Sequence, residues 1–96
     1  LVIESTFIAT GEEALARKRG HTHLNEVAQI MREQADMIEC EAIVLKHFSM
    51  KVKPLEALEA ALKVIPARFH DRVYLLTHLP KSMQGQSLAE LAWQGI

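Results

Sequence analysis

The run Ala42-Ile43-Val44-Leu45 leads straight into Lys46-His47-Phe48-Ser49, so an apolar stretch gives way to a segment that carries a histidine. A short apolar run of this kind is typical of a buried β-strand. Two similar runs stand at Leu1–Ile3 and Val73–Leu76. Because helical patterns separate the three runs, the sequence predicts strands that alternate with helices, as in α/β proteins.

Two helices are predicted between the first and second runs. Thr10-Gly11-Glu12-Glu13 has the capping-box pattern, so a short helix should cover Glu13–Lys18, and Gly20 should close it. We expect Thr22 to cap the second helix. The apolar stripe of that helix has helical spacing and comprises Leu24, Val27, Ala28, Met31 and Ala35.

The second half of the chain predicts two more helices. Pro54 stands at a first helical position and Pro66 at a stop, with an apolar stripe of Leu55, Leu58, Leu62 and Ile65 between them. Ser87-Leu88-Ala89-Glu90 repeats the capping box before a last helix that reaches Trp93. We expect its apolar residues in the core; the alternative is that Leu88, Leu91 and Trp93 pack on the missing half of the domain or on a partner subunit. The predicted order is β-α-α-β-α-β-α, with parallel strands that are covered on both faces.

Composition sets broad limits. Ninety-six residues suffice for one domain over residues 1–96, and 49% hydrophobic residues is ordinary for a folded protein. The net charge of -1 argues against a dominant electrostatic attraction to nucleic acid. The single cysteine, Cys40, excludes an intrachain disulfide and favours the cytoplasm. Since no apolar stretch approaches about 20 residues, no membrane partner is expected.

The first residues suggest a larger protein. The chain begins without methionine, directly inside an apolar run. Three uniformly apolar strands also make a thin sheet for a domain with helices on both faces. We therefore expect this chain to be the C-terminal portion of a longer domain.

Three residues near strand ends or a helix start are candidates for chemistry. His47 follows the second strand and is either a metal ligand or a histidine that ends a strand with a backbone hydrogen bond. His21 precedes a helix, and a carboxylate such as Glu4 would make it a usable general acid. The alternative is a loop histidine and a solvated glutamate. We expect His23 at the surface, and structural roles for His70 and His78.

Together, three segments resemble metallo-β-lactamase-fold hydrolases of the ribonuclease Z type, over roughly Leu1 to Lys53. In that family a strand ends in a His-Glu-Ala-Thr loop, a Gly-His-Ser-Thr-like loop starts a helix, and a later strand ends in Leu-Thr-His-Phe-Ser. The corresponding segments here are Ile3-Glu4-Ser5-Thr6, Gly20-His21-Thr22 and Leu45-Lys46-His47-Phe48-Ser49. The resemblance implies the C-terminal half of an αββα sandwich.

The resemblance also implies roles. His47 would bind one ion of a two-zinc centre, and His21 would protonate the leaving oxygen during phosphodiester cleavage, oriented and charged by Glu4. In two-metal centres one ion generates hydroxide while the pair clamps the attacking and leaving oxygens. The substrate would be RNA, such as a transfer-RNA precursor, or a small phosphodiester. We expect a homodimer.

Departures from the family pattern limit what the chain can do alone. Lys46 replaces a threonine, Ser5 replaces an alanine, and Met50-Lys51-Val52 replaces a basic-aromatic pair. The histidine-rich metal motif, a further histidine and the bridging aspartate of the family would lie upstream of Leu1, so we expect the isolated chain to be inactive. The alternative is a small, non-catalytic α/β module that binds a protein or ligand. Such a module would bury all three strands with its own helices.

Overall fold

Strands and helices alternate in the predicted order. The structure is a computed structural model that describes residues 1–4, 8, 12–20, 22–46, 48 and 52–94. Along the chain its strands and α-helices are β1 (Val2–Glu4), α1 (Glu13–Lys18), α2 (Leu24–Glu33), β2 (Ile43–Lys46), α3 (Pro54–Val64), β3 (Val73–Leu75) and α4 (Leu88–Trp93). The protein is therefore an α/β protein.

The three strands form one parallel sheet in the order β1-β2-β3. Glu4 is in register with Lys46 across the first pair of strands, and Leu45 is in register with Leu75 across the second. Since all three strands run in the same direction, their carboxyl ends lie along one edge of the sheet. We call this edge the carboxyl edge.

The core lies on one face of the sheet. Ile43 and Leu45 are fully buried, whereas Val44 and Lys46 between them are only half-buried. Successive strand residues point to opposite faces, so one face is covered more completely than the other. The covered face packs against buried residues of α2, α3 and α4, which belong to the same cluster. The expected cover on both faces is therefore not provided by the described residues.

Helix ends follow the predictions in part. α1 has the predicted bounds, and Gly20 follows it at φ 71°. Its N-cap residue is Glu12, whose side chain makes no capping hydrogen bond. The capping box expected from Thr10 onward is thus not the start of α1, and Thr10 itself lies outside the described residues. The capping box of α4 is confirmed, since Ser87 Oγ accepts from the Glu90 N–H at 3.2 Å and the Glu90 carboxylate accepts from the Ser87 N–H at 3.0 Å.

Three of the four residues in the predicted apolar stripe of α3 face the core: Leu58 and Ile65 are buried, and Leu62 is half-buried against the core cluster. Pro54 is the first helical residue and the helix stops before Pro66, as expected. The buried residues are Ala57, Leu58, Ala61 and the flanking Ile65. Leu55 lies roughly 100° around the helix from the centre of that face and is 50% exposed. Two small alanines therefore complete this contact, and Leu55 is the member of the predicted stripe that lies outside it.

An open apolar surface lies beside β1. Leu1 is 58% exposed and Val2 is 55% exposed, and β1 is an edge strand that pairs with β2 alone among the described strands. A cavity of about 300 Å³ lies between β1 and α2, with walls that include Ile3, Thr22 and Ile30. We call this surface the β1 flank. Among the described residues, no helix is both long and apolar enough to cross a bilayer.

Candidate functional site

The carboxyl edge carries the predicted site segments. Glu4 is the last residue of β1 and its backbone lies opposite Lys46, the residue before His47. At β3, the Leu76 N–H donates to the Leu45 carbonyl at 2.8 Å, so the chain beyond β3 continues alongside the end of β2. Two of the three candidate segments therefore begin at neighbouring points of one edge.

The candidate side chains themselves are beyond what the structure describes. His21 and His47 lie outside the described residues, and only the backbone of Glu4 is described. The neighbours of His47 are both placed, Lys46 in β2 and Phe48 against the core.

The third segment approaches the same strand. Thr22, which follows His21, lines the β1-flank cavity together with Ile3, which precedes Glu4. The entry to α2 thus lies beside β1. A described neighbour of His21 and a described neighbour of Glu4 consequently line one cavity.

His23 is not the surface residue that the sequence predicts. Its side chain is fully buried, and it is the N-cap of α2, where its Nδ1 accepts the Asn25 N–H at 3.0 Å. Thr22, the predicted cap, is one residue too early. A neutral imidazole nitrogen accepts a hydrogen bond as a serine or threonine oxygen does, and can therefore serve as a cap. The sequence signal for this capping role is the position of His23 directly before the apolar stripe of α2.

The buried imidazole joins two helices. Because Nδ1 accepts a hydrogen bond, the proton of the neutral ring is on Nε2, which lies 3.4 Å from Glu13 Oε1. The same Glu13 oxygen accepts from Asn25 Nδ2 at 3.1 Å. A second link, Arg17 Nε to Glu26 Oε1 at 3.5 Å, lies nearby. These contacts fix α1 to the start of α2, immediately after the Gly20-His21-Thr22 segment.

The remaining histidines differ in role. His70 Nε2 lies 2.8 Å from the carbonyl oxygen of Ile65, so it donates to the backbone, and the predicted structural role of His70 is confirmed. His78 is exposed and lines a second cavity, of about 430 Å³, at the end of β3. His78 therefore has access to solvent and to any molecule in that cavity.

The described residues do not form a metal centre by themselves. No group of three or more histidine, cysteine, aspartate or glutamate side chains in that part of the chain is arranged to hold an ion. Cys40 is a half-buried free thiol. The zinc role predicted for His47 therefore depends on ligands outside the described residues.

Comparisons with known proteins found no family model and no curated protein that matches this chain.

Proposed function

We propose that this chain is the C-terminal portion of a metallo-β-lactamase-fold, zinc-dependent phosphodiester hydrolase of the ribonuclease Z type. The observation that carries the proposal is the register of Glu4 with Lys46, because it brings the end of β1 next to the segment that contains His47. Ligands of open parallel sheets bind beyond the carboxyl ends of the strands. The substrate class is RNA, such as a transfer-RNA precursor, or a small phosphodiester.

Each candidate residue has one role in this proposal. His47 supplies one imidazole ligand, His21 gives a proton to the leaving oxygen, and Glu4 orients His21 and favours its charged form. One imidazole does not make a zinc site, and the described residues add no further cluster. The described residues of this chain thus do not fit a two-zinc centre, and the proposal assigns the other ligands to residues outside them.

The half-open sheet supports this proposal over a self-contained binding module. Val44 and Tyr74 on the second face are only half-buried, and Leu1 and Val2 on the edge strand are exposed. A module that buried its own strands would leave neither surface open. In an αββα sandwich, a second sheet and its helices would cover them.

The proposal includes a homodimer and a cytoplasmic location. Trp93 was expected in the core, yet it is 91% exposed, while Leu88 and Leu91 of the same helix are fully buried. A large exposed aromatic side chain is typical of an interface residue, so we place the subunit contact at Trp93. The free thiol of Cys40 supports a reducing compartment.

The decisive experiment is the zinc content per chain, measured by elemental analysis on the 96-residue chain and on the longer protein. We expect about two zinc ions in the long form and none in the short form. In the long form, His47→Ala should lower zinc content, and His21→Ala should lower turnover while zinc is retained. If neither form contained zinc and the short form were a folded monomer, the hydrolase proposal would be wrong. The small binding module would then be the correct function.

A further inference from the structure

The two ring nitrogens of His23 contact different helices. Nδ1 accepts the Asn25 N–H of α2 at 3.0 Å, while Nε2 lies 3.4 Å from Glu13 Oε1 of α1, and the ring is fully buried. Histidine is the side chain whose ordinary change of charge falls between about pH 5 and 8. Because the two contacts require different properties of the ring, a change in its charge affects α1 and α2 differently.

The contact with α2 requires a neutral ring. The Asn25 N–H is a hydrogen-bond donor, and protonation of Nδ1 would place a second donor against it. A positive charge at the N-terminus of α2 also opposes the helix dipole. Protonation of His23 therefore removes the N-cap of α2.

The contact with α1 is strengthened by a charged ring. The 3.4 Å between Nε2 and the Glu13 carboxylate is longer than an ordinary hydrogen bond of about 3 Å, and a positive ring would convert the contact into an ion pair. Asn25 Nδ2 donates to the same carboxylate oxygen at 3.1 Å and keeps it beside the ring. Such a pair offsets part of the cost of a buried charge.

The other charged groups at this junction neutralise each other. Among the described residues, Arg17 of α1 and Glu26 of α2 also join the two helices, with Arg17 Nε 3.5 Å from Glu26 Oε1. The pair adds no net charge beside the ring. Glu13 is therefore the described carboxylate that responds to the charge of His23.

We propose that His23 is a pH-sensitive switch between α1 and α2. The neutral ring caps α2, whereas the protonated ring gives up the cap and pairs with the Glu13 carboxylate. α1 is held by the ring in both states, but the first turn of α2 is held in the neutral state alone. Acid thus loosens the start of α2, next to Thr22 in the wall of the β1-flank cavity. The inference does not depend on the hydrolase proposal, since it involves neither zinc nor turnover.

The test uses the fact that Asn25 is the only asparagine of the 96 residues. Selective ¹⁵N labelling of asparagine and histidine then gives a single backbone amide signal for the cap. We expect a scalar coupling between the Asn25 amide nitrogen and His23 Nδ1 across the hydrogen bond at pH 8, and its loss on titration to pH 5. Protection of the Asn25 amide from hydrogen exchange should fall about fivefold, which corresponds to a cap of about 1 kcal/mol.

Two variants separate the two contacts. His23→Thr keeps a capping oxygen that does not titrate, so the Asn25 amide should lose its response to pH. Glu13→Gln removes the ion pair, so the amide of Ala16 in α1 should lose protection in acid, which it keeps in the natural chain. His78→Ala, at an exposed histidine, is the control and should leave the Asn25 response unchanged.

A coupling that persists down to pH 5, or one that is absent at pH 8, would overturn the inference. So would an Asn25 response to pH that survives in His23→Thr. The coupling is measured on the natural chain, so it decides the question even where a variant does not fold.

Discussion

His23 Nε2 lies 3.4 Å from Glu13 Oε1, so a fully buried imidazole at the start of α2 contacts a carboxylate at the start of α1. On its other side, the same ring caps α2 through the Asn25 N–H. One side chain therefore both caps α2 and contacts the preceding helix α1, directly after the segment that carries His21.

His23→Ala should lower the free energy of unfolding by about 2 kcal/mol or more, because it removes a cap and leaves a cavity. His23→Asn keeps a capping acceptor and should recover about 1 kcal/mol of that loss. Urea denaturation measures both. His78→Ala is the matched control at an exposed histidine and should change stability by less than about 0.5 kcal/mol. Equal losses for Ala and Asn would show that capping is not the role of this ring.

The hydrogen bonds of two histidines fix their tautomers. His23 accepts through Nδ1, and His70 must donate through Nε2 to the Ile65 carbonyl, so both neutral rings should carry the proton on Nε2. Long-range ¹H–¹⁵N NMR spectra of the imidazoles distinguish the two tautomers directly. A proton on Nδ1 of His23 would contradict the cap.

Arg72 should contribute more to stability than its neighbour Arg68. Its guanidinium donates to the Cys40 carbonyl at 3.1 Å and lies 4.7 Å from the ring centroid of the buried Phe69. Arg72→Ala should therefore cost about 2 kcal/mol. Arg68 is 58% exposed and faces Asp36 at 3.9 Å, so Arg68→Ala is the control and should cost less than about 1 kcal/mol. Thermal or urea unfolding compares them, and equal costs would contradict the assigned contacts.

Glu4→Gln in the longer protein should lower turnover and leave zinc content unchanged, because the proposal gives Glu4 a role in orienting and charging His21 and none in binding the metal. Turnover of a model phosphodiester and elemental analysis on the same preparation separate the two effects. Loss of zinc would instead make Glu4 part of the metal site.

The sequence predicted the element order because each strand is an apolar run and because Gly20, Pro54 and Pro66 mark helix ends. It did not predict His23 as a cap, since the usual caps are serine, threonine, aspartate and asparagine. It did not predict the burial of the ring either, because that burial depends on tertiary packing. The sequence also did not predict the exposure of Leu55, because the side of α3 that is buried depends on where the elements packed against this helix lie.

The candidate site could be predicted only as separate segments. Strand pairing decides which ends are adjacent, and nothing local in Glu4 or Lys46 specifies that they are opposite one another. That relationship arises from the order of the strands, which is a property of the whole sheet. The described neighbours Thr22 and Ile3 were likewise brought to one cavity by tertiary packing.

The β1 flank has a thermodynamic consequence for the site. β1 is three residues long, pairs on one side and leaves Leu1 and Val2 exposed, whereas the core cluster draws most of its buried residues from α2, α3, α4, β2 and β3. Local opening of β1 thus costs less than global unfolding, and it takes Glu4 with it. A partner surface that buries the β1 flank favours, by mass action, the state in which β1 is paired with β2. The fraction of molecules in which Glu4 is in register with Lys46 therefore depends on an interaction at the flank, on the other side of β1.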